Sequence, residues 1–139
     1  MKYWLSSLCF SLFCVFSLGA KDSPNEYEFV GRHLFAQYYD CNIDALQNAK
    51  QLTKIMKKAS LASGAHILGD IKHKFVPQGF SMIILLSESH ASIHTYPEHK
   101  ACFVDFFTCG NRCIAENFDK VLRKYLQPQR VVCDIQERK

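Results

Sequence analysis

A run of short apolar segments joined by even shorter polar connections places the strongest constraint on how this chain can fold. The segments have the length of β-strands and lie at residues 66–75, 80–87, 91–96 and 101–108. The connections at residues 76–79 and 97–100 contain proline and have the composition of turns. Strands that follow one another through such short turns pair in antiparallel fashion. We therefore expect one sheet of adjacent antiparallel strands.

Two other segments carry the three- and four-residue spacing of an amphipathic helix. The first spans about residues 43–62, with Asn42 as its N-cap and Ser63 and Gly64 as its stop signal. The second spans about residues 112–125, and a final strand follows at about residues 131–135. We predict an α+β fold, a two-layer sandwich in which an antiparallel sheet carries two helices on one face.

The length and composition indicate one globular domain and no nucleic-acid partner. The chain has 139 residues, of which 48% are hydrophobic and 22% charged, and its net charge is +4. The one dense group of basic residues, Lys54, Lys57 and Lys58, lies on the first predicted helix, where a solvated face is expected. Basic and aromatic residues do not alternate in a stacking pattern, so nucleic-acid binding gains no support.

The first twenty residues differ from the rest and form a signal-like hydrophobic leader. Lys2 precedes an apolar stretch, and the small residues Gly19 and Ala20 end it. This layout is typical of export, although a retained membrane anchor or a mispredicted start codon would produce the same pattern. Residues 21–30 are polar, contain Pro24 and are predicted to be a linker, which leaves residues 31–139 as the domain.

The cysteines do not form the pattern of a disulfide framework. Two of the seven lie in the leader, which leaves an odd number in a chain able to form its own core. Cys109 and Cys113 have no second pair at a matching interval, so we predict no metal site. A free cysteine with a chemical role fits better, with the others as small buried apolar residues. The five are Cys41, Cys102, Cys109, Cys113 and Cys133.

Chemistry-bearing residues are concentrated in residues 87–98, where three serines, two histidines and two glutamates join two apolar strands. Polar groups at such a place cost desolvation energy unless they are paired or used. Taken alone, the cluster is compatible with strand-end residues that satisfy backbone groups. A Ser-His-acid hydrolase is a weaker alternative, because the segment lacks the Gly-x-Ser-x-Gly elbow.

Read together with its surroundings, this segment closely resembles the prokaryotic S-adenosylmethionine decarboxylase family. The similar motifs are GRHL at residues 31–34, the Phe-x-Pro-x-Gly turn at residues 75–79, SESHASIHTYPE at residues 87–98 and FVDFFTCG at residues 103–110. They occur in the order found in the family and extend over most of the chain, from Gly31 to about Tyr125. The leader is the clear departure, because members of this family are usually cytosolic.

The resemblance implies a proenzyme that cuts itself between Glu88 and Ser89. Ser89 would attack the Glu88 carbonyl, and elimination from the resulting ester would leave a covalent pyruvoyl group in place of the serine. The β chain would end at Glu88, and the α chain would begin at residue 89. By similarity, His94 removes the α-proton and Ser81 stabilises the ester or its precursor. Imidazole suits such a proton transfer near neutral pH.

In turnover, the resemblance implies that the substrate amine forms a Schiff base with the pyruvoyl carbonyl, which acts as the electron sink and needs no external cofactor. Cys109 would return the proton to the substrate carbon, Phe75 would stack on the adenine ring and Glu98 would bind the ribose hydroxyls. The other histidines lack metal-like spacing and are predicted to be structural or to support their neighbours. They are His33, His66, His73, His90 and His99.

The family implies a homodimer of processed αβ units with active sites at the subunit interface. The leading hypothesis is thus decarboxylation of S-adenosylmethionine, which supplies the aminopropyl donor for spermidine synthesis. Two alternatives stay open: the same chemistry on arginine or ornithine, and an exported, non-catalytic binding protein on the same scaffold. The leader favours export or anchoring and the resemblance favours the cytoplasm, so localisation stays open, and contact with a membrane is expected only if the leader is retained.

Overall fold

Six strands form a single antiparallel sheet in the computed structural model, which describes residues 29–139. The spatial order of the strands is β2-β3-β4-β5-β1-β6, and every neighbouring pair runs antiparallel. The predicted antiparallel sheet is therefore confirmed. The strands are β1 Gly31–Tyr39, β2 Ile67–Lys74, β3 Phe80–Leu86, β4 Ser89–Tyr96, β5 Ala101–Cys109 and β6 Arg130–Arg138.

The strand β1 is an addition to the elements predicted from the sequence. It lies between β5 and β6 and buries Leu34, Ala36 and Tyr38, while the residues between them alternate toward the other face. The alternate positions include half-buried polar residues such as Gln37, which weakens the apolar signal in the sequence. The strand is held by pairing on both sides as well as by these buried side chains.

Three α-helices accompany the sheet: α1 Ile43–Gln47, α2 Ala49–Ala62 and α3 Ala115–Leu126. The single helix predicted over residues 43–62 is thus wrong in one respect, because Asn48 divides it. The Asn48 side chain accepts a hydrogen bond from the Gln51 backbone N–H at 3.0 Å and caps α2. Asn42 caps α1 as predicted, through the Ala45 N–H.

All three helices belong to one layer, as the predicted two-layer α+β sandwich requires. Leu52, Met56 and Ala59 of α2 and Phe118 and Leu122 of α3 are buried at helical spacing. They pack on the buried side chains of the sheet, and the Phe106 and Phe118 rings stack with their centroids 4.5 Å apart.

The opposite face of the sheet carries no helix in the part of the chain that the structure describes. Its side chains nevertheless include large apolar ones, among them Phe35, Ile83, Leu85 and Phe103, of which Leu85 is 56% exposed. We refer to this surface as the open face. A monomer gains nothing from such a surface in water, so the open face is a candidate interface.

The leader and most of the linker, residues 1–28, lie outside the described residues. Within residues 29–139, no helix is both long and apolar enough to cross a bilayer.

Candidate active site

The predicted cleavage site lies where the turn after β3 enters β4. Glu88 ends this turn, and Ser89 is the first residue of β4. The Glu88 carbonyl oxygen accepts a hydrogen bond from the Cys109 backbone N–H at 2.8 Å. Ser89 has a φ of 156°, a backbone conformation that few residues other than glycine adopt. The peptide bond between Glu88 and Ser89 therefore has a carbonyl polarised by a hydrogen bond on one side and a strained backbone conformation at Ser89 on the other.

The Glu88 side chain is anchored, with only 8% of its surface exposed. Its two oxygens are bound by His66, one by the backbone N–H at 2.9 Å and the other by the ring Nδ1 at 2.7 Å. Burial acts to raise the pKa of the Glu88 carboxyl, but the hydrogen bonds from His66 outweigh it and hold the pKa below its usual range. The carboxylate is thus fixed as an anion that holds the turn in place.

The Ser89 hydroxyl faces a histidine, because its Oγ lies 3.2 Å from the His90 Nδ1. Burial lowers the pKa of His90 and nearby His33 lowers it further, whereas Asp105 acts in the opposite direction. Asp105 also contacts the His33 Nε2 at 3.2 Å and accepts a hydrogen bond from Ser92 at 3.3 Å. These contacts form a polar network on the open face.

Cys109 ends β5 beside the cleavage site and is half-buried, so its thiol is accessible. The five described cysteines are free thiols, and three of them are buried as predicted. Cys133 is exposed, which contradicts the expectation for the cysteines other than Cys109, because it lies on the edge strand β6. Burial, together with the charge of Glu88, raises the pKa of the Cys113 thiol to about 11.

A second group of predicted residues lies at the other end of the sheet. Ser81 and His94 are opposite each other on β3 and β4, and the Ser81 Oγ lies 2.8 Å from the His94 Nδ1. The Phe75 turn is closed by a hydrogen bond from its N–H to the Gly79 carbonyl at 2.9 Å, and the φ of 103° at Gly79 suits a residue without a Cβ.

Glu98 belongs to the same end, in the 3₁₀ turn Pro97–His99. Its Oε2 accepts a hydrogen bond at 3.2 Å from Gln78, which lies in the Phe75 turn. The two predicted substrate-binding residues are therefore on adjacent turns. We call Glu88, Ser89 and Cys109 the cleavage cluster, and Ser81, His94, Phe75 and Glu98 the distal cluster.

One chain does not bring the two clusters together. Ser89 and His94 are five residues apart on the extended strand β4, which separates their backbones by about 17 Å at about 3.4 Å per residue. No proton transfer between them is possible at that distance. If His94 acts on Ser89, the two residues must come from different copies of the chain.

Two residues beside the cleavage site received no specific role from the sequence. His66 was predicted to be structural or supporting, and it holds both Glu88 oxygens from its position directly before β2. Thr108 was not singled out, although it lies opposite Ser89 in the β4–β5 pairing and is fully buried. Strand pairing brings both residues to the cleavage site, and no local sequence signal marks either position. Among the described residues no group of three or more His, Cys, Asp or Glu could hold a metal ion.

Comparisons with known proteins identify the family of this chain. The family model described as S-adenosylmethionine decarboxylase matches residues 32–139. A protein of Thermosipho melanesiensis, named S-adenosylmethionine decarboxylase proenzyme, is 41% identical over 102 residues, which cover 73% of this chain and 78% of the relative. A Moorella thermoacetica protein of the same name is 47% identical over 83 residues, 60% of this chain and 66% of the relative.

A solved structure extends the likeness to the fold. The crystal structure of the adenosylmethionine decarboxylase from Aquifex aeolicus superposes with a TM-score of 0.72 at 28% identity, covering 78% of this chain and 90% of the other. The family model and the relatives together determine the assignment: this chain belongs to the S-adenosylmethionine decarboxylase family.

Proposed function

We propose that this chain is a proenzyme that cuts itself between Glu88 and Ser89 and then decarboxylates S-adenosylmethionine through a pyruvoyl group made from Ser89. The product would be the aminopropyl donor for spermidine synthesis. One observation carries the proposal: the Glu88 carbonyl oxygen accepts a hydrogen bond from the Cys109 N–H at 2.8 Å. The next residue is Ser89, the first residue of β4. A backbone N–H in that place stabilises the oxyanion that forms when the carbonyl is attacked.

Cleavage then uses the chain's own groups. The Ser89 Oγ bonds to the Glu88 carbonyl carbon, the peptide C–N bond breaks, and the hydroxyl proton passes to the Ser89 nitrogen, which leaves an ester. A histidine removes the Ser89 α-proton, and the Cβ–O bond breaks, so that Glu88 becomes a free carboxylate. Water then replaces the nitrogen of the remaining dehydroalanine, and ammonia leaves.

The residues around Ser89 suit the pyruvoyl group that this chemistry would leave. When present, such a group supplies the electron sink for loss of the substrate carboxylate. Cys109 ends β5 beside it, with an accessible thiol that can deliver a proton to the substrate carbon. Phe75, which is 47% exposed, offers a ring face for the adenine, and the Glu98 carboxylate can accept hydrogen bonds from the ribose hydroxyls.

We further propose a homodimer that joins the two clusters through the open face. The two-fold axis would lie in the plane of the interface, perpendicular to the strands. Each end of one sheet then faces the other end of the partner's sheet. Ser81, His94, Phe75 and Glu98 of one copy would then complete the cleavage cluster of the other, giving two sites per dimer. The apolar side chains of the open face supply the area to be buried.

The dimer is tested at Ile83, which lies midway along β3 on the open face and is 46% exposed. We expect Ile83→Asp to yield a monomer by light scattering and to lose self-cleavage, because a charge at an apolar interface is costly and each site needs both copies. Leu61→Asp on the helix side, a similarly exposed apolar residue, is the matched control and should remain dimeric and cleaved. A monomer of Ile83→Asp that cleaves normally would contradict the shared site.

The substrate is tested with the chain expressed without residues 1–20. The cleaved protein should release carbon dioxide from carboxyl-labelled S-adenosylmethionine and none from arginine or ornithine. Glu98→Ala should raise KM for the nucleoside substrate, by about tenfold for the loss of one or two hydrogen bonds to a carboxylate. Release from arginine or ornithine alone would reject the proposed substrate and leave the cleavage chemistry intact.

A further inference from the structure

Thr108 is the one buried side chain of the described residues whose polar atom has no hydrogen-bond partner. Its relative exposure is 0%. Other buried hydroxyls are satisfied: Ser60 donates to the Met56 carbonyl at 3.0 Å, and Thr95 accepts from the Phe80 N–H at 2.9 Å. Leaving a hydroxyl buried without a partner is destabilising, so the position of Thr108 calls for a physical reason.

That position is beside the bond to be cut. Thr108 is the direct partner of Ser89 in the β4–β5 ladder. The hydrogen bond from the Cys109 N–H to the Glu88 carbonyl links the residues that flank this pair, so Ser89 and Thr108 form a non-hydrogen-bonded pair. In such pairs the Cα atoms lie only about 4.5 Å apart, and the side chains approach more closely than in the alternate pairs.

The Ser89 hydroxyl does not use this neighbour in the uncut chain, because its Oγ contacts the His90 Nδ1 instead. To attack the Glu88 carbonyl carbon, the hydroxyl must leave His90 and rotate about the Cα–Cβ bond. Without a new partner, that rotation would give up a hydrogen bond in a half-buried site. Thr108 offers an unused hydroxyl at the same step of the ladder.

We propose that Thr108 is a positioning residue for self-cleavage: its hydroxyl bonds to the Ser89 hydroxyl once the serine has left His90 for the Glu88 carbonyl. This inference rests on the proposed function and assigns a residue to its first step. Thr108 makes and breaks no covalent bond. Because its partner exists only along the reaction path, the interaction favours the transition state over the resting chain. In the uncut protein the unsatisfied Thr108 hydroxyl lowers the stability of the fold.

Thr108→Val is the test, since valine keeps the shape and removes only the hydroxyl. We expect the rate of chain cleavage, followed by mass spectrometry, to fall about tenfold or more, the effect of one hydrogen bond made on the reaction path. In a Ser89→Ala background, where no cleavage intervenes, Thr108→Val should melt at the same or a higher temperature than Ser89→Ala alone. Thr108→Ser should restore most of the rate.

The matched control is Ser60→Ala, which removes a buried hydroxyl that already has a partner, the Met56 carbonyl of the same helix α2, and should leave the cleavage rate close to that of the unchanged chain. A Thr108→Val chain that cleaves at the normal rate would overturn the inference and leave the proposed function standing. A slow variant that also melts lower, with no rescue by serine, would assign Thr108 a purely structural role and overturn it too.

Discussion

A Ser89→Ala chain should remain a single polypeptide of full mass and release no carbon dioxide from S-adenosylmethionine. Alanine has no oxygen to attack the Glu88 carbonyl, so neither the ester nor the later elimination can occur. The loss should be complete rather than partial. The Ser89 hydroxyl starts the cleavage, and Ser89 itself becomes the pyruvoyl group on which decarboxylation depends. Intact mass spectrometry of the freshly purified and the incubated chain measures the first effect, and a labelled-carboxyl assay measures the second.

Ser92→Ala is the matched control for this change. Ser92 lies three residues further along β4, and its hydroxyl donates to Asp105 rather than toward the turn that is cut. We expect that variant to be cleaved and to show the new terminus at residue 89. Cleavage of the Ser89→Ala chain at the same bond would refute the serine mechanism, and a cut elsewhere would point to an outside protease.

The sheet and its helical layer could be predicted because their signals are local. Alternating apolar residues and short turns indicate antiparallel strands, and the buried stripe of α3 follows helical spacing. The division of the first helix depends on one side chain, Asn48, which caps α2 within a segment that keeps helical periodicity on both sides. The break is local: the Asn48 backbone N–H donates to the Asp44 carbonyl at the end of α1, and its side chain caps α2, neither of which the apolar pattern contains.

The candidate site could be predicted as a set of residues but not as an arrangement. Ser89 and His94 are near neighbours in the sequence, and a compact motif suggests one compact site. An extended strand instead places such residues far apart, because the distance between them grows with the number of residues that separate them in the sequence. The support of Glu88 by His66 and the burial of Thr108 opposite Ser89 depend on strand register, which a single sequence does not specify.

This separation leads to the other prediction with a large expected effect, made at His94. A His94→Ala chain should stop after the ester has formed, because no base removes the Ser89 α-proton. We expect a single chain of full mass that hydroxylamine splits at the Glu88–Ser89 junction, since esters react with this nucleophile and peptide bonds do not. Decarboxylase activity should be absent. His99→Ala, in the nearby 3₁₀ turn, is the control and should cleave normally.

Co-expression of the His94→Ala and Ser89→Ala chains then determines which copy supplies the base. In a mixed dimer with a shared site, Ser89 of the first chain meets the partner's His94 from the second, and one of the two sites is complete. Part of the His94→Ala chain should therefore be cut, whereas the Ser89→Ala chain stays whole. The two differ in mass, so one spectrum distinguishes them. If His94 acted within its own chain, neither chain would be cut. The shared site would then be wrong, and only the apolar open face would remain as a reason for the dimer.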